Sequence, residues 1–142
     1  MSWWKRLFGD ERDRDEVDYY REGLDLLRVE KYHEALTSFR LALRETPGDI
    51  AVLQQIAITY TRIGMTDEAI KTYRSVLAKD PSAMGAHYGL AFLLLRQGEE
   101  QEAADHLRAF LADPPKDVDA GRHIDYARQT LAELMGETVT GE

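Results

Sequence analysis

Cysteine is absent from this 142-residue chain, which removes disulfide scaffolds, thiolate nucleophiles and thiolate metal sites at once. Asparagine is absent as well. No apolar run is long enough to cross a bilayer. The longest nearly apolar stretch, Ala83 to Leu95, contains His87 and falls short of the roughly 20 residues a spanning helix needs. A secretory signal is not visible either: in Met1 to Phe8 the basic pair follows the tryptophans, acidic residues begin at Asp10, and no small-residue cleavage site appears. The expectation is a cytoplasmic chain. Positive charge is in deficit, with 18 Lys and Arg against 26 Asp and Glu, a net charge of -8. A phosphate backbone rewards the opposite sign, so nucleic acid is not expected as a partner.

What is present is periodic. Apolar residues make up 44% of the chain, enough for the core of one domain at this length. Pro47, Pro81 and Pro115 are 34 residues apart, and Ala35, Ala69 and Ala103 keep the same step, each preceded by glutamate. Phe39, Tyr73 and Leu107 follow four residues after those alanines, and the small residues Gly23, Ala57 and Ala91 precede them by twelve. Within each unit the spacing predicts two helices. Val17, Tyr20, Leu24 and Leu27 recur with helical period, and Ala35, Leu36, Phe39, Ala42 and Leu43 do so after a turn near Val29 to Tyr32. Gly64 and Gly98 occupy the corresponding turns of the later units, where a left-handed helix end is expected. The prolines stop each second helix, because proline cannot continue one.

These columns resemble the tetratricopeptide repeat (TPR) family, whose 34-residue pattern runs aromatic, large apolar, small, aromatic, then alanine, aromatic, alanine and proline. Tyr19, Gly23, Leu26, Ala35, Phe39, Ala42 and Pro47 match it in the first unit. Leu53, Ile56, Ala57, Tyr60, Ala69, Tyr73 and Pro81 match in the second, and Leu90, Ala91, Leu94, Ala103, Leu107 and Pro115 in the third. There are departures. Glu22 stands where a large apolar residue is usual, His87 replaces an aromatic, and Val76 and Phe110 replace alanine. The resemblance implies an all-α, right-handed TPR solenoid of three helix-turn-helix repeats, at 16–49, 50–83 and 84–117. An aromatic and basic leader with a charged linker occupies 1–15. An amphipathic helix over 118–135, carrying Ala120, Ile124, Ala127, Leu131 and Leu134, is expected to cap the stack, with a tail at 136–142.

Catalysis is not expected. His33, His87, His106 and His123 show no metal-ligand spacing, and no phosphate loop or nucleophile elbow is visible. No catalytic residue, metal or cofactor is therefore assigned. The resemblance instead implies a concave groove lined by the first helix of each repeat. Carried over by position, it holds Tyr20, Leu24, Leu27 and Arg28 from the first repeat. Ile58 and Arg62 come from the second, and Tyr88, Phe92, Leu95 and Arg96 from the third. Two plainer accounts compete. A basic residue just before the turn is common family filler, and apolar residues at helical spacing usually serve a core. A separate stripe (Tyr19, Gly23, Leu26; Ala57, Tyr60; Ala91, Leu94) already joins the helices of each repeat, however, so the second stripe asks for a partner. The lysine and asparagine clamp with which some family members grip a C-terminal carboxylate is missing in its usual form, since position nine holds Leu24, Ile58 and Phe92.

The expected function is that of a non-catalytic adaptor binding an apolar peptide or protein segment, such as an amphipathic helix, with an acidic flank suited to the arginines, in assembly of a larger complex. The leader supplies the alternative. Trp3, Trp4, Leu7 and Phe8 would share one face of a short helix beside Lys5 and Arg6. That face suits docking on a protein, peripheral attachment to a membrane, or insertion into a groove. Three repeats sit near the minimum for a stable array, which leaves homo-oligomerisation open.

Overall fold

The computed structural model describes residues 17–136, and within them every regular element is helical. Helices α1 (Tyr19–Arg28) and α2 (Tyr32–Glu45) form the first pair, α3 (Ile50–Ile63) and α4 (Thr66–Lys79) the second, α5 (Met84–Arg96) and α6 (Glu100–Ala112) the third. A 3-10 turn at Val118–Ala120 leads into α7 (Gly121–Leu134). Each helix packs on its successor, so the pairs stack into a solenoid. The first helices also meet directly, α1 with α3 and α3 with α5. The odd-numbered helices thus form one layer and the even-numbered helices the other.

Local chemistry explains where the helices begin and end. Asp18 accepts a hydrogen bond from the Arg21 amide at 3.0 Å, and Asp49 accepts from the amides of Ala51 and Val52 at 2.9 and 3.3 Å. Both therefore satisfy donors that the first helical turn leaves open. The second helices lack side-chain caps but place Glu34, Asp67, Glu68, Glu100 and Glu102 in their first turns, where the helix dipole favours negative charge. Gly64 and Gly98 take positive φ, 93° and 79°, in the turns between paired helices. The same place in the first repeat is held by Glu30, with φ of 63°, the one non-glycine residue with positive φ among those described. A β-carbon in this region costs about 1 kcal/mol or more.

The core falls into two clusters. The larger runs through the three helix pairs from Ala35 and Phe39 to Leu94 and Ala103. The smaller joins the third repeat to α7 through Ala91, Leu107, Phe110 and Ala127. Fully burying each of the leucines Leu90, Leu93, Leu94 and Leu107 contributes about 1.5–3 kcal/mol. The small column has a steric reason at its first member. A β-carbon on Gly23 would lie 2.5 Å from the Phe39 ring. Polar ties bridge successive pairs: Arg40 donates to the Tyr60 hydroxyl at 2.7 Å, Gln97 to Asp67 at 2.8 Å, and Arg74 to both carboxylate oxygens of Glu102 at 2.9 and 3.0 Å. The leader and the residues after Gly136 lie outside the described range.

Candidate functional site

The layer of odd-numbered helices carries the residues that the sequence assigns to a groove. Leu24, Ile58 and Phe92 occupy equivalent places on α1, α3 and α5, each partly exposed. Leu27 and Leu95 lie one helical turn further along and are also partly exposed. Arg28, Arg62 and Arg96 stand in the last turns of the same three helices, all exposed. There their charge complements the negative end of the helix dipole. Arg28 pairs with Asp25 on its own helix, whereas Arg62 and Arg96 have no ion-pair partner among the described residues.

The apolar stripe is not left bare. Tyr20, Leu24, Leu27, Ile58 and Leu95 pack their inner sides against the larger core, while Tyr88 and Phe92 pack against the smaller one. Tyr88 is the most enclosed by aromatic rings. Its ring centroid lies 4.8 Å from Phe92, 5.0 Å from Phe110 and 5.2 Å from His123, and its hydroxyl lies 3.2 Å from His123 Nδ1. Burial, reinforced by neighbouring Tyr126, pushes the Tyr88 hydroxyl above the ordinary tyrosine range. Tyr88 thus joins α5, α6 and α7, and Phe92 presents the freer surface. On that surface Tyr126 from α7 stacks, with centroids 5.0 Å apart and planes 23° from parallel.

α7 is therefore more than a cover. Leu24, Ile58, Phe92 and Tyr126 follow one another at the 34-residue step, so α7 occupies the place of a fourth first-helix. Two cavities open on this layer. One, of about 340 Å³, lies between α1 and α3 and is lined by Leu24, Leu27, Arg28, Glu30, Tyr32, Ile58 and Arg62. The other, of about 550 Å³, lies between α5 and α7 and is lined by Phe92, Leu95, Arg96, Tyr126, Gln129, Thr130, Glu133 and Leu134. Glu30 and the α7 residues were not among the sequence candidates. Continuing the repeat register past residue 117 would have found Tyr126, Gln129 and Thr130. Glu30 and Glu133 also bring acid to a surface that the carried-over positions made purely basic. A larger cleft, of about 720 Å³, lies on the opposite layer between α4 and the third repeat, where the Arg74–Glu102 and Asp67–Gln97 ties form its walls.

The histidine that departs from the repeat pattern has a local partner. His87 Nε2 lies 2.8 Å from the Pro81 carbonyl, which can only accept, so this nitrogen carries the proton. His87 Nδ1 is then free to accept from His106 Nδ1–H at 2.9 Å. The remaining His106 nitrogen, Nε2, faces Glu102 at 3.7 Å. Burial, aided by His87, holds His106 below the ordinary histidine value against the opposing pull of Glu102. Among the described residues no three His, Asp or Glu side chains converge where a metal could be held, and no helix is long and apolar enough to cross a membrane. Trp3, Trp4, Leu7 and Phe8 lie outside the described residues.

Residues 55–118 match the family model of the tetratricopeptide repeat, which begins in α3 and ends at the entrance to α7. That stretch is similar to the tetratricopeptide repeat family, and the described helices have the repeat's fold. Solved TPR structures share the fold at low identity. The type III secretion chaperone SycD of Yersinia enterocolitica, in complex with a peptide of the translocator YopD, superposes with a TM-score of 0.77 at 19% identity. The match covers 87% of this chain and 93% of that one. The TPR2B domain of yeast Sti1, in a complex designated pHsp70, gives 0.72 at 18% identity, covering 84% and 94%. A TPR protein of Parabacteroides merdae gives 0.70 at 24% identity, covering 83% and 44%. No match is found among curated protein sequences.

Proposed function

We propose that this protein is a non-catalytic interaction adaptor that takes a peptide or protein segment along the layer of α1, α3, α5 and α7, in the assembly of a larger complex. The observation that carries the reading is the Leu24–Ile58–Phe92–Tyr126 column. It stays accessible at both ends, in cavities of about 340 and 550 Å³, while the other large apolar side chains among the described residues are mostly withdrawn into the two clusters. Apolar surface of this kind, rimmed by charged side chains, fits a protein partner better than bulk water. The solved relatives lend support by analogy, since SycD is seen with a YopD peptide and the TPR domain of Spaghetti with the HSP90 peptide SRMEEVD.

The test is affinity capture from cells with the full-length chain and with an Ile58→Ser, Arg62→Glu, Arg96→Glu variant, followed by mass spectrometry. The expected result is loss of one or more partners in the variant with its helical circular dichroism retained. Unchanged recovery would remove the groove from the account.

A further inference from the structure

The groove leaves the leader without a role. Trp3 and Trp4 are the only tryptophans of the chain, and residues 1–8 carry Lys5 and Arg6 with no acid. A place that suits them lies beside the first described residues. Where the N-terminal ends of α1 and α3 meet the last turn of α2, a cavity of about 200 Å³ opens. Tyr19, Tyr20 and Ala42 line it together with three acids, Asp18, Glu45 and Asp49, and no basic residue does. We infer that this cavity is the seat of the chain's own leader. An indole of Trp3 or Trp4 enters it, and Lys5 and Arg6 meet the acids around it.

The repeat register explains why the cavity lies at this junction. Ala42 is small, whereas its equivalents Val76 and Phe110 are larger and 0% and 2% exposed. Glu45 and Asp49 correspond to Lys79 and Ala83, so the next junction carries neither acid. The lining also suits an indole. Tyrosine rings offer it faces and edges to pack on, and its N–H, a donor only, needs an acceptor once buried. Carboxylate oxygens supply one. Asp18 and Asp49 each commit Oδ1 to a helix cap and keep Oδ2 free of it. Glu45 has no ion-pair partner among the described residues. Charge selects this seat over the groove, where Arg28, Arg62 and Arg96 repel Lys5 and Arg6. The reach is sufficient. Eight residues, 9–16, separate Phe8 from Val17 and span up to about 26–29 Å when extended. Asp18 and Tyr19 belong to the cavity wall itself, so the connection need not be stretched. A short tether also holds the leader at a local concentration in the millimolar range, which populates a contact too weak to retain a separate peptide.

The test is tryptophan fluorescence of the full-length chain, which reports on the leader alone. Emission maximum and quenching by acrylamide are measured, with a peptide of residues 1–16 as the solvent-exposed reference. Trp3→Phe and Trp4→Phe versions read each indole in turn. One indole is expected to emit at shorter wavelength than the peptide and to be quenched about half as strongly or less, at every protein concentration. Two variants borrow side chains from the second repeat. Ala42→Val fills the cavity, and Glu45→Lys reverses one exposed charge beside it. Each should move both readings toward those of the peptide, with helical circular dichroism retained. If Ala42→Val does not fold, Glu45→Lys carries the test. Quenching of both indoles as strong as in the peptide would overturn the inference, as would protection that survives both variants. Protection that grows with protein concentration would overturn it in favour of a second copy. Protection that appears only when vesicles containing phosphatidylserine are added would overturn it in favour of a lipid surface.

Discussion

Helices α1 and α5 occupy the same place in their repeats, yet α5 buries five residues and α1 buries only Gly23. The difference lies in their neighbours. α5 is packed between α3, α4 and α6 and carries α7 on its far side, whereas no described element precedes α1. Glu22 shows the effect on one side chain. Its equivalents Ile56 and Leu90 are 5% and 0% exposed, while Glu22 itself lies in the open. A repeat position is therefore a place in a stack, and the burial that usually accompanies it comes from the preceding pair.

Truncating the equivalent positions breaks this comparison most strongly. Leu90→Ala should cost about 2–5 kcal/mol, by loss of transfer energy and opening of a cavity, and Glu22→Ala should stay within about 0.5 kcal/mol. Urea denaturation of both variants measures the two, and similar costs would mean that α1 is as enclosed as α5. Next in size is Gly23→Ala. Its new methyl meets the Phe39 ring at 2.5 Å, and overpacking of this kind costs about 1–3 kcal/mol despite the better helix propensity of alanine. A thermal midpoint at or above wild type would show that Phe39 can move aside. Smaller still is a gain: Glu30→Gly relieves the positive φ that Gly64 and Gly98 adopt without strain, and should stabilise the first repeat by about 1 kcal/mol.

The smallest effect is expected from pH, and near neutrality it is sought in the third repeat. His106 is held neutral below the ordinary histidine value, so the unfolded chain binds the proton more readily than the folded one. That contribution is complete above the unfolded value of about 6.5 and is lost as pH falls from there through the depressed folded value. The urea midpoint of wild type should therefore drop more between pH 7.5 and 5.5 than that of His106→Gln. Equal drops would remove the histidine pair from the stability of the fold.

Much of the architecture was legible because a repeated sequence states each rule three times. The proline and alanine columns placed the six repeat helices, and the turn glycines marked their junctions. Less legible was which apolar stripe would remain open. Tyr88 and Phe92 occupy neighbouring groove positions by register. The structure separates them: Tyr88 is clasped by Phe110 and His123, and Phe92 keeps a surface toward the α5/α7 cavity. That distinction depends on α7, whose amphipathic pattern announced a cap and whose Tyr126 stacks on Phe92 and lines the α5/α7 cavity. The pairing of His87 with His106 was hidden for a related reason. The two are far apart in the repeat register and meet only because α5 and α6 lie side by side.

The thin anchorage of α1 also sets an order of fraying. In a stack held by nearest-neighbour contacts, opening starts at the end with the weakest interface. Backbone amides of α1 and of α7, each of which buries a single residue (Gly23 and Ala127), should accordingly exchange with solvent before those of α5. A segment lying along this layer would fasten both outer helices to the middle of the stack. Its arrival would be recorded as slowed amide exchange in α1.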